Sequence, residues 1–263
     1  MNGKPNVWVT NDDGINSPGL LAAVKAIVNV SNVTVMAPET QQTAMGRAQQ
    51  GLPHAKLEEV PFGFDGLDCR AYSCAAAPAR VVDHGLHVLG NAPDLLISGI
   101  NYGENLGTNI TSSGTVGAAF EGASKGIPSI AISLETPVDT HLEYSEQNWE
   151  GAAYFLGFFV DKILRNGFPL GADILKIDVP YSASAETSWR TTKLSCNPFY
   201  QTSVSEPSVE SRLCDTIVKK KRSADEKVDS DIYALTVDRV VSVTPLSLDQ
   251  TAYASLSHIE SWK

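Results

Sequence analysis

The chain has 263 residues, 43% hydrophobic and 19% charged, and its 20 Lys and Arg against 30 Asp and Glu give a formal net charge of −10. That length can bury a sizeable core in one large domain or two small ones, and no apolar run approaches the ~20 residues of a membrane span. The acidic balance argues against binding DNA or RNA polymers, whose affinity comes mainly from Lys and Arg neutralising phosphates, while a mononucleotide held through a metal stays open. The opening Met1-Asn2-Gly3-Lys4-Pro5 lacks a signal peptide's apolar segment. Cys69, Cys74, Cys196 and Cys214 show no paired C-x-x-C spacing. Reduced thiols and a cytoplasmic location are therefore expected. The five histidines form no zinc pattern; His84 and His87 stand three apart with no third ligand in sight.

In chain order, Val7 and Val9 read as a buried strand that ends in Thr10-Asn11-Asp12-Asp13-Gly14, and Ser17-Pro18 reads as an N-cap followed by a first-turn proline. Asp12 and Asp13 thus fall in a strand-to-helix turn. In an open parallel sheet such turns lie at the carboxyl ends of the strands, where ligands bind. Adjacent carboxylates repel unless a cation or proton offsets them, and oxygen ligands suit a hard divalent ion. The competing explanation is turn chemistry alone, because Asn, Asp and Gly all favour turns. Leu20, Leu21, Val24, Ile27 and Val28 mark one face of a helix, and residues 33–37 a second buried strand. Pro38 ends that strand, and Thr43 can offer a hydroxyl oxygen from the polar loop that follows.

Residues 52–73 suggest strands or a hairpin beside the main sheet, residues 75–89 a helix and residues 93–98 a strand. A loop rich in Gly and Asn follows from Ser98 to Gly107, and Ser113-Gly114-Thr115 opens another helix. Glycines admit close approach of a ligand, and a helix start with free N–H groups and hydroxyls is a ready phosphate site. A long ordered loop with a capped helix is the alternative, although unstructured loops of that length are uncommon in compact domains unless functional. Strands are expected at 128–134 and 172–180, with a helix at 145–164 between them. This alternation predicts an α/β fold, a Rossmann-like, doubly wound, mostly parallel sheet over residues 1–180. Residues 181–263 read as a β-rich extension: segments 189–194, 231–237 and 240–244 are β-prone, and 252–259 suits a short helix. They are expected to form a hairpin or arm of the kind that mediates oligomer contacts. Lys219-Lys220-Lys221-Arg222 reads as part of a solvated loop.

With these residues laid out, the chain resembles the SurE family of survival proteins, which are metal-dependent 5′-nucleotidases and acid phosphatases. The resemblance runs from Val7 to about Tyr253. It is carried by Asn11-Asp12-Asp13-Gly14 with Pro18-Gly19, Ser98-Gly99-Ile100-Asn101, Gly103, Asn105-Leu106-Gly107, Ser113-Gly114-Thr115-Val116 and Val241-Ser242-Val243-Thr244-Pro245-Leu246. It implies that Asp12, Asp13 and Asn101 bind one divalent cation, Mg or Mn, with Thr43 as a fourth ligand. The family usually has an Asn-Arg-Ser-Gly setting where this chain has Gln41-Gln42-Thr43-Ala44. The segment from Cys74 to Arg80 departs from the family's pattern as well, near its substrate region. The family forms dimers and tetramers through its C-terminal arm, so a homodimer or homotetramer is expected.

The expected reaction is hydrolysis of a phosphate monoester, above all a nucleoside 5′-monophosphate, with Asp12, Asp13 and Asn105 as catalytic residues. Ser113, Gly114 and Thr115, helped by Asn11, would hold the remaining phosphoryl oxygens. Two rivals remain at this stage. One is a phosphotransferase that forms an aspartyl phosphate, for which no matching downstream lysine motif is present. The other is a non-catalytic nucleotide- or metal-binding stress protein that has lost turnover.

Overall fold

Strand β1 (Asn6–Thr10) is buried from Val7 onward, as a central strand of a parallel sheet covered on both faces must be. The computed structural model describes residues 3–63, 67, 69–138 and 144–263. After β1 the chain turns into helix α1 (Pro18–Ile27), which buries Leu20, Ala23, Val24 and Ile27, and returns in β2 (Asn32–Pro38), parallel to β1. Ser17 occupies the N-cap position before Pro18, but its hydroxyl accepts no helix N–H.

The short β3 (Glu58–Glu59) runs antiparallel to β4 (Cys69–Cys74), which pairs with β2 in parallel. Strand β4 therefore belongs to the main sheet rather than lying beside it; residues 64–66 and 68 fall outside the described residues. Helix α2 (Pro78–Val88) precedes β5 (Leu95–Tyr102), which is buried along all eight residues and continues past Ser98, where a loop was expected. A 3-10 turn (Thr108–Ser112), helix α3 (Gly114–Ser124), β6 (Ser129–Leu134), helix α4 (Glu150–Asn166) and β7 (Ile174–Val179) follow.

Helix α4 begins at Glu150 and not at 145. Tertiary contacts hold the preceding residues out of the helix: the Tyr144 hydroxyl donates to the carbonyl of Asp13 at 2.6 Å, and the Tyr102 hydroxyl donates to the carbonyl of Ser145 at 2.9 Å. Trp149 packs edge-on against Tyr102 with ring centroids 4.8 Å apart.

The last third of the chain supplies β8 (Trp189–Thr191), β9 (Tyr200–Val204), β10 (Thr216–Lys220) and β11 (Val241–Leu246). Among the described residues the main sheet has nine strands in the order β3-β4-β2-β1-β5-β6-β7-β11-β8. From β4 to β7 all pairings are parallel; β11 joins β7 antiparallel, and β8 lies parallel to β11. Side chains alternate across the sheet. Val7 and Val9 face a core shared with Leu20, Val24, Leu156 and Val160 of α1 and α4, while Trp8 faces one shared with Val81, Val82 and Ala118 of α2 and α3.

Two expectations for the extension are corrected here. Trp189–Thr191 of the β-prone segment 189–194 and Val241–Leu246 over 240–244 complete the main sheet instead of forming an arm. Residues 231–237 are helical: a turn at Asp231–Tyr233 runs into a π-helical turn at Ala234–Asp238. Ile232, Thr236 and Val237 favour strands, but Ser230 caps the turn by accepting the N–H of Tyr233 at 3.1 Å, and burial of Asp231 overrides the local preference. Strands β9 and β10 form the separate hairpin.

The strand order places a topological switch between β1 and β5: the chain first builds outward to β2 and β4, then crosses back to the opposite side of β1. The crevice at the carboxyl ends of these two strands is where such folds bind ligands. Asp12 and Asp13 follow β1, and Asn101 lies near the end of β5.

Candidate active site

The turn after β1 is built by Asn11 and Gly14. The Asn11 amide donates to the carbonyl of Gly14 at 3.1 Å and accepts its N–H at 3.1 Å, so both ends of the side chain are engaged. Gly14 has φ +101°, a conformation that favours glycine. Asp12 and Asp13 lie inside this closed turn.

Asp12 accepts a short hydrogen bond from the Thr115 hydroxyl, and the backbone N–H groups of Gly114 and Thr115 also stabilise its charge. The carboxylate therefore occupies the anion site that the start of α3 offers. Asp13 accepts the N–H of Tyr102 at 3.1 Å through Oδ2 and the Gln41 amide at 3.4 Å through Oδ1. Both carboxylates are buried, at 6% and 3% exposure. Burial pushes the Asp12 carboxyl up to about 6 against the stabilising effect of Thr115. Burial and then the charge of Asp12 hold Asp13 well above the usual carboxylate range. Among the described residues no cationic side chain offsets either shift.

Asn101 follows a register irregularity between Ser98 and Asn101 in the pairing of β5 with β6, a distortion that re-aims side chains at the end of a strand. Its amide nitrogen donates to the carbonyls of Tyr102 at 3.1 Å and Gly103 at 2.7 Å, which leaves the Oδ1 lone pairs available to a ligand. A cleft of about 380 Å³ is lined by Asp12, Asp13, Thr43, Asn101, Asn105 and Ser113. Two uncompensated carboxylates, an amide whose nitrogen is already engaged and a hydroxyl make an all-oxygen donor set. Those residues fit a hard divalent cation. Among the described residues no group of three or more His, Cys, Asp or Glu side chains gathers to hold a metal ion, so this donor set has two carboxylates and draws its other oxygens from an amide and a hydroxyl.

Of the residues expected to hold phosphate, the structure brings some to the cleft and turns others elsewhere. Ser113 lines the cleft and caps α3 by accepting the N–H of Val116 at 3.1 Å, and its own proton remains to donate. Asn105 donates to the Ser133 hydroxyl at 2.9 Å, so one of its two amide protons remains for a ligand oxygen. Gly114 and Thr115 are buried against Asp12, and Asn11 is engaged with Gly14; none of the three lines the cleft. Thr115 and the N–H of Gly114 at the helix start are turned to the Asp12 carboxylate.

Other lining residues escaped the sequence. The β9–β10 hairpin adds Tyr200, Thr202 and Val218 to the wall, and the 3-10 turn adds Asn109 and Ser112. Lys220, read as part of a solvated loop, lies on β10 with Nζ at 2.7 and 3.0 Å from the two carboxylate oxygens of the buried Glu104. Strand alternation turns Lys220 inward while Lys219 stays exposed. The nearest signal in the sequence was the β-prone Thr216, Ile217 and Val218 just before the basic run.

Comparison with known proteins agrees with this architecture. A family model described as "Survival protein SurE" matches residues 7–201. A curated relative from Thermococcus kodakarensis, named 5′-nucleotidase SurE, is 38% identical over 267 residues, covering 96% of this chain and 96% of the relative. One of the same name from Methanosarcina acetivorans is 34% identical over 265 residues, covering 98% and 97%. Among solved structures, the SurE protein from Aquifex aeolicus superimposes with a TM-score of 0.79 at 28% identity, covering 98% of this chain and 99% of that one.

Proposed function

The chain belongs to the SurE family, and from that premise we propose that it is a metal-dependent 5′-nucleotidase that releases phosphate from nucleoside 5′-monophosphates. The observation that carries this reading is the pair of buried, uncompensated carboxylates, Asp12 and Asp13, opening into a polar cleft at the switch point of the sheet. The names of the full-length relatives support the reaction class.

Asp12, Asp13, Asn101 and Thr43 would hold one hard divalent cation, Mg or Mn. Bound there, such an ion supplies Lewis acidity toward a phosphoryl oxygen and lowers the pKa of an attacking water. The remaining work falls to the chain's own groups. The start of α3 and the Thr115 hydroxyl orient Asp12, and the N–H of Tyr102 orients Asp13. Asn105 and Ser113 donate to phosphoryl oxygens as negative charge moves toward the leaving group. Tyr200, Thr202 and Val218 of the hairpin form a wall of the same cleft.

The same reading makes the protein a homodimer or homotetramer. Its C-terminal segment supports this, since Tyr253, Leu256, Ile259 and Trp262 are all exposed there. A cytoplasmic compartment is in keeping with four free cysteines.

The test is phosphate release from a panel of 5′- and 3′-nucleoside monophosphates with Mg, Mn or EDTA. Release from the 5′ esters that EDTA abolishes is the expected result. A folded, metal-loaded protein that binds nucleotides and releases no phosphate would overturn the proposal.

A pH dependence follows from the two raised carboxyls. The cation-free fold gains from both fully below the ordinary carboxylate range; the contribution of Asp12 is lost as pH rises through about 6, and that of Asp13 as pH rises through its own raised range. A cation needs the ionised forms, so it competes with protons on the acid side. The rise in Tm produced by Mn is therefore expected to be small near about pH 5 and to grow by about pH 7.5. Equal shifts at both values, measured by thermal unfolding, would contradict this assignment of ligands.

A further inference from the structure

Strand β7 carries two charged residues, Lys176 and Asp178, in an otherwise apolar core strand, and both are buried at 1% and 0% exposure. Residues two apart on a strand share a face, so both side chains reach the same side of the sheet. There they meet Asp231, which is also fully buried.

The three donors of the Lys176 ammonium find three acceptors: Asp178 Oδ2 in a short contact, Asp231 Oδ2 at 3.1 Å, and the backbone carbonyl of Asn105 at 2.8 Å. Asp178 Oδ1 accepts the backbone N–H of Asn105 at 2.7 Å. Asp231 takes the N–H of Gly107 at 3.0 Å and that of Ser195 at 2.9 Å. One buried ion pair thus grips both backbone polar groups of Asn105. The Ser133 hydroxyl holds its side-chain amide at 2.9 Å.

A buried ion pair is weak evidence for stability, because desolvation offsets much of its attraction. Its geometry here has a different consequence. Between the end of β5 and the 3-10 turn, Asn105 lines the cleft, has an amide proton left to donate and is held at three points.

We propose that Lys176, Asp178 and Ser133 are positioning residues that fix Asn105 for phosphoryl-group stabilisation, with Asp231 balancing the ammonium from the C-terminal segment. The proposal rests on the nucleotidase reading above. None of the three lines the cleft, so they act through Asn105 and not on substrate.

The test uses two mild variants in a double-mutant cycle with Asn105→Ala. Asp178→Asn leaves a neutral Lys176–Asp231 pair. Its amide cannot serve both neighbours: if its oxygen faces Lys176, its NH2 confronts the N–H of Asn105, and the reverse orientation confronts the ammonium. Ser133→Ala removes only a hydroxyl and is a second route if Asp178→Asn does not fold. Each is expected to lower kcat by about 10-fold or more with KM changed little, because a small misplacement of a group used in the transition state is expensive.

In an Asn105→Ala background the same changes should lower kcat by less than about 2-fold, whereas in a Ser113→Ala background they should retain most of their effect. Additive losses with Asn105→Ala, or kcat within about 2-fold of wild type in a folded variant, would overturn the proposal. Wild-type protein that releases no phosphate overturns it together with the nucleotidase reading, whereas wild-type turnover with additive variants overturns it alone.

Discussion

Replacing Asp13 with asparagine is expected to lower metal-dependent phosphate release by about 10³-fold while leaving the protein folded. The substitution keeps an oxygen that can accept the N–H of Tyr102, so the local hydrogen bond survives. It removes one of two negative charges available to a cation, which weakens both binding and the polarisation of the phosphoryl group. The effect on stability should have the opposite sign. Burial and the neighbouring charge of Asp12 hold the Asp13 carboxyl well above its ordinary range, so at neutral pH ionisation opposes folding of the cation-free protein. Asparagine relieves that opposition, and Tm without metal should stay level or rise, by about 2–4 °C for each kcal/mol relieved. Phosphate assays and thermal unfolding with and without Mn measure the two effects together. Activity close to wild type in this variant would remove Asp13 from the mechanism. Loss of activity with a collapsed Tm would show a structural role instead.

Gly114→Ala should separate activity from folding in a second way. Gly114 is the first residue of α3, and a Cβ there would lie 2.7 Å from both Cβ and Oδ2 of Asp12. The backbone itself has no objection to alanine, which is the better helix former. The side chain of Asp12 must therefore move away from the helix start that holds it. A shift near an ångström at a catalytic group costs on the order of 10²-fold in rate. We expect a loss of that size in kcat/KM, weaker Mn binding and little change in far-UV circular dichroism. Gly157→Ala in α4 is the control, since its Cβ would meet only the carbonyl of Ala26 at 3.4 Å. The control should be as active as wild type. If Gly114→Ala matches it, Asp12 does not depend on the start of α3 for its placement.

Much of the fold and the turn at the centre of the candidate site were legible in the sequence. Val7, Trp8 and Val9 followed by Asn11-Asp12-Asp13-Gly14 announce a buried strand that ends in a polar turn, and both pieces are local: apolar side chains on either face and residues that tolerate a tight turn. The alternation of β and α up to residue 180 specified a doubly wound sheet, because parallel strands need crossover helices. The end of β5 was misplaced because Gly99 weakens a strand signal, although Ile100 and Tyr102 are buried there. The start of α4 was misplaced for another reason: residues 144–149 are held by hydrogen bonds to Asp13 and Tyr102, partners more than 40 residues away.

The composition, the period of the apolar residues and the turn chemistry determined by themselves the fold class and the polar turn carrying Asp12 and Asp13. These rest on neighbouring residues, and the chain carries that information in order. Tertiary structure alone decided what each polar group is committed to. It set the start of α3 against Asp12, turned Asn11 toward Gly14 and drew Lys220 onto Glu104. It also brought Lys176 and Asp178 from β7 and Asp231 from near the end of the chain around Asn105. Buried polar groups must find partners, and those partners are fixed by which strands lie side by side, which residue type and spacing do not specify.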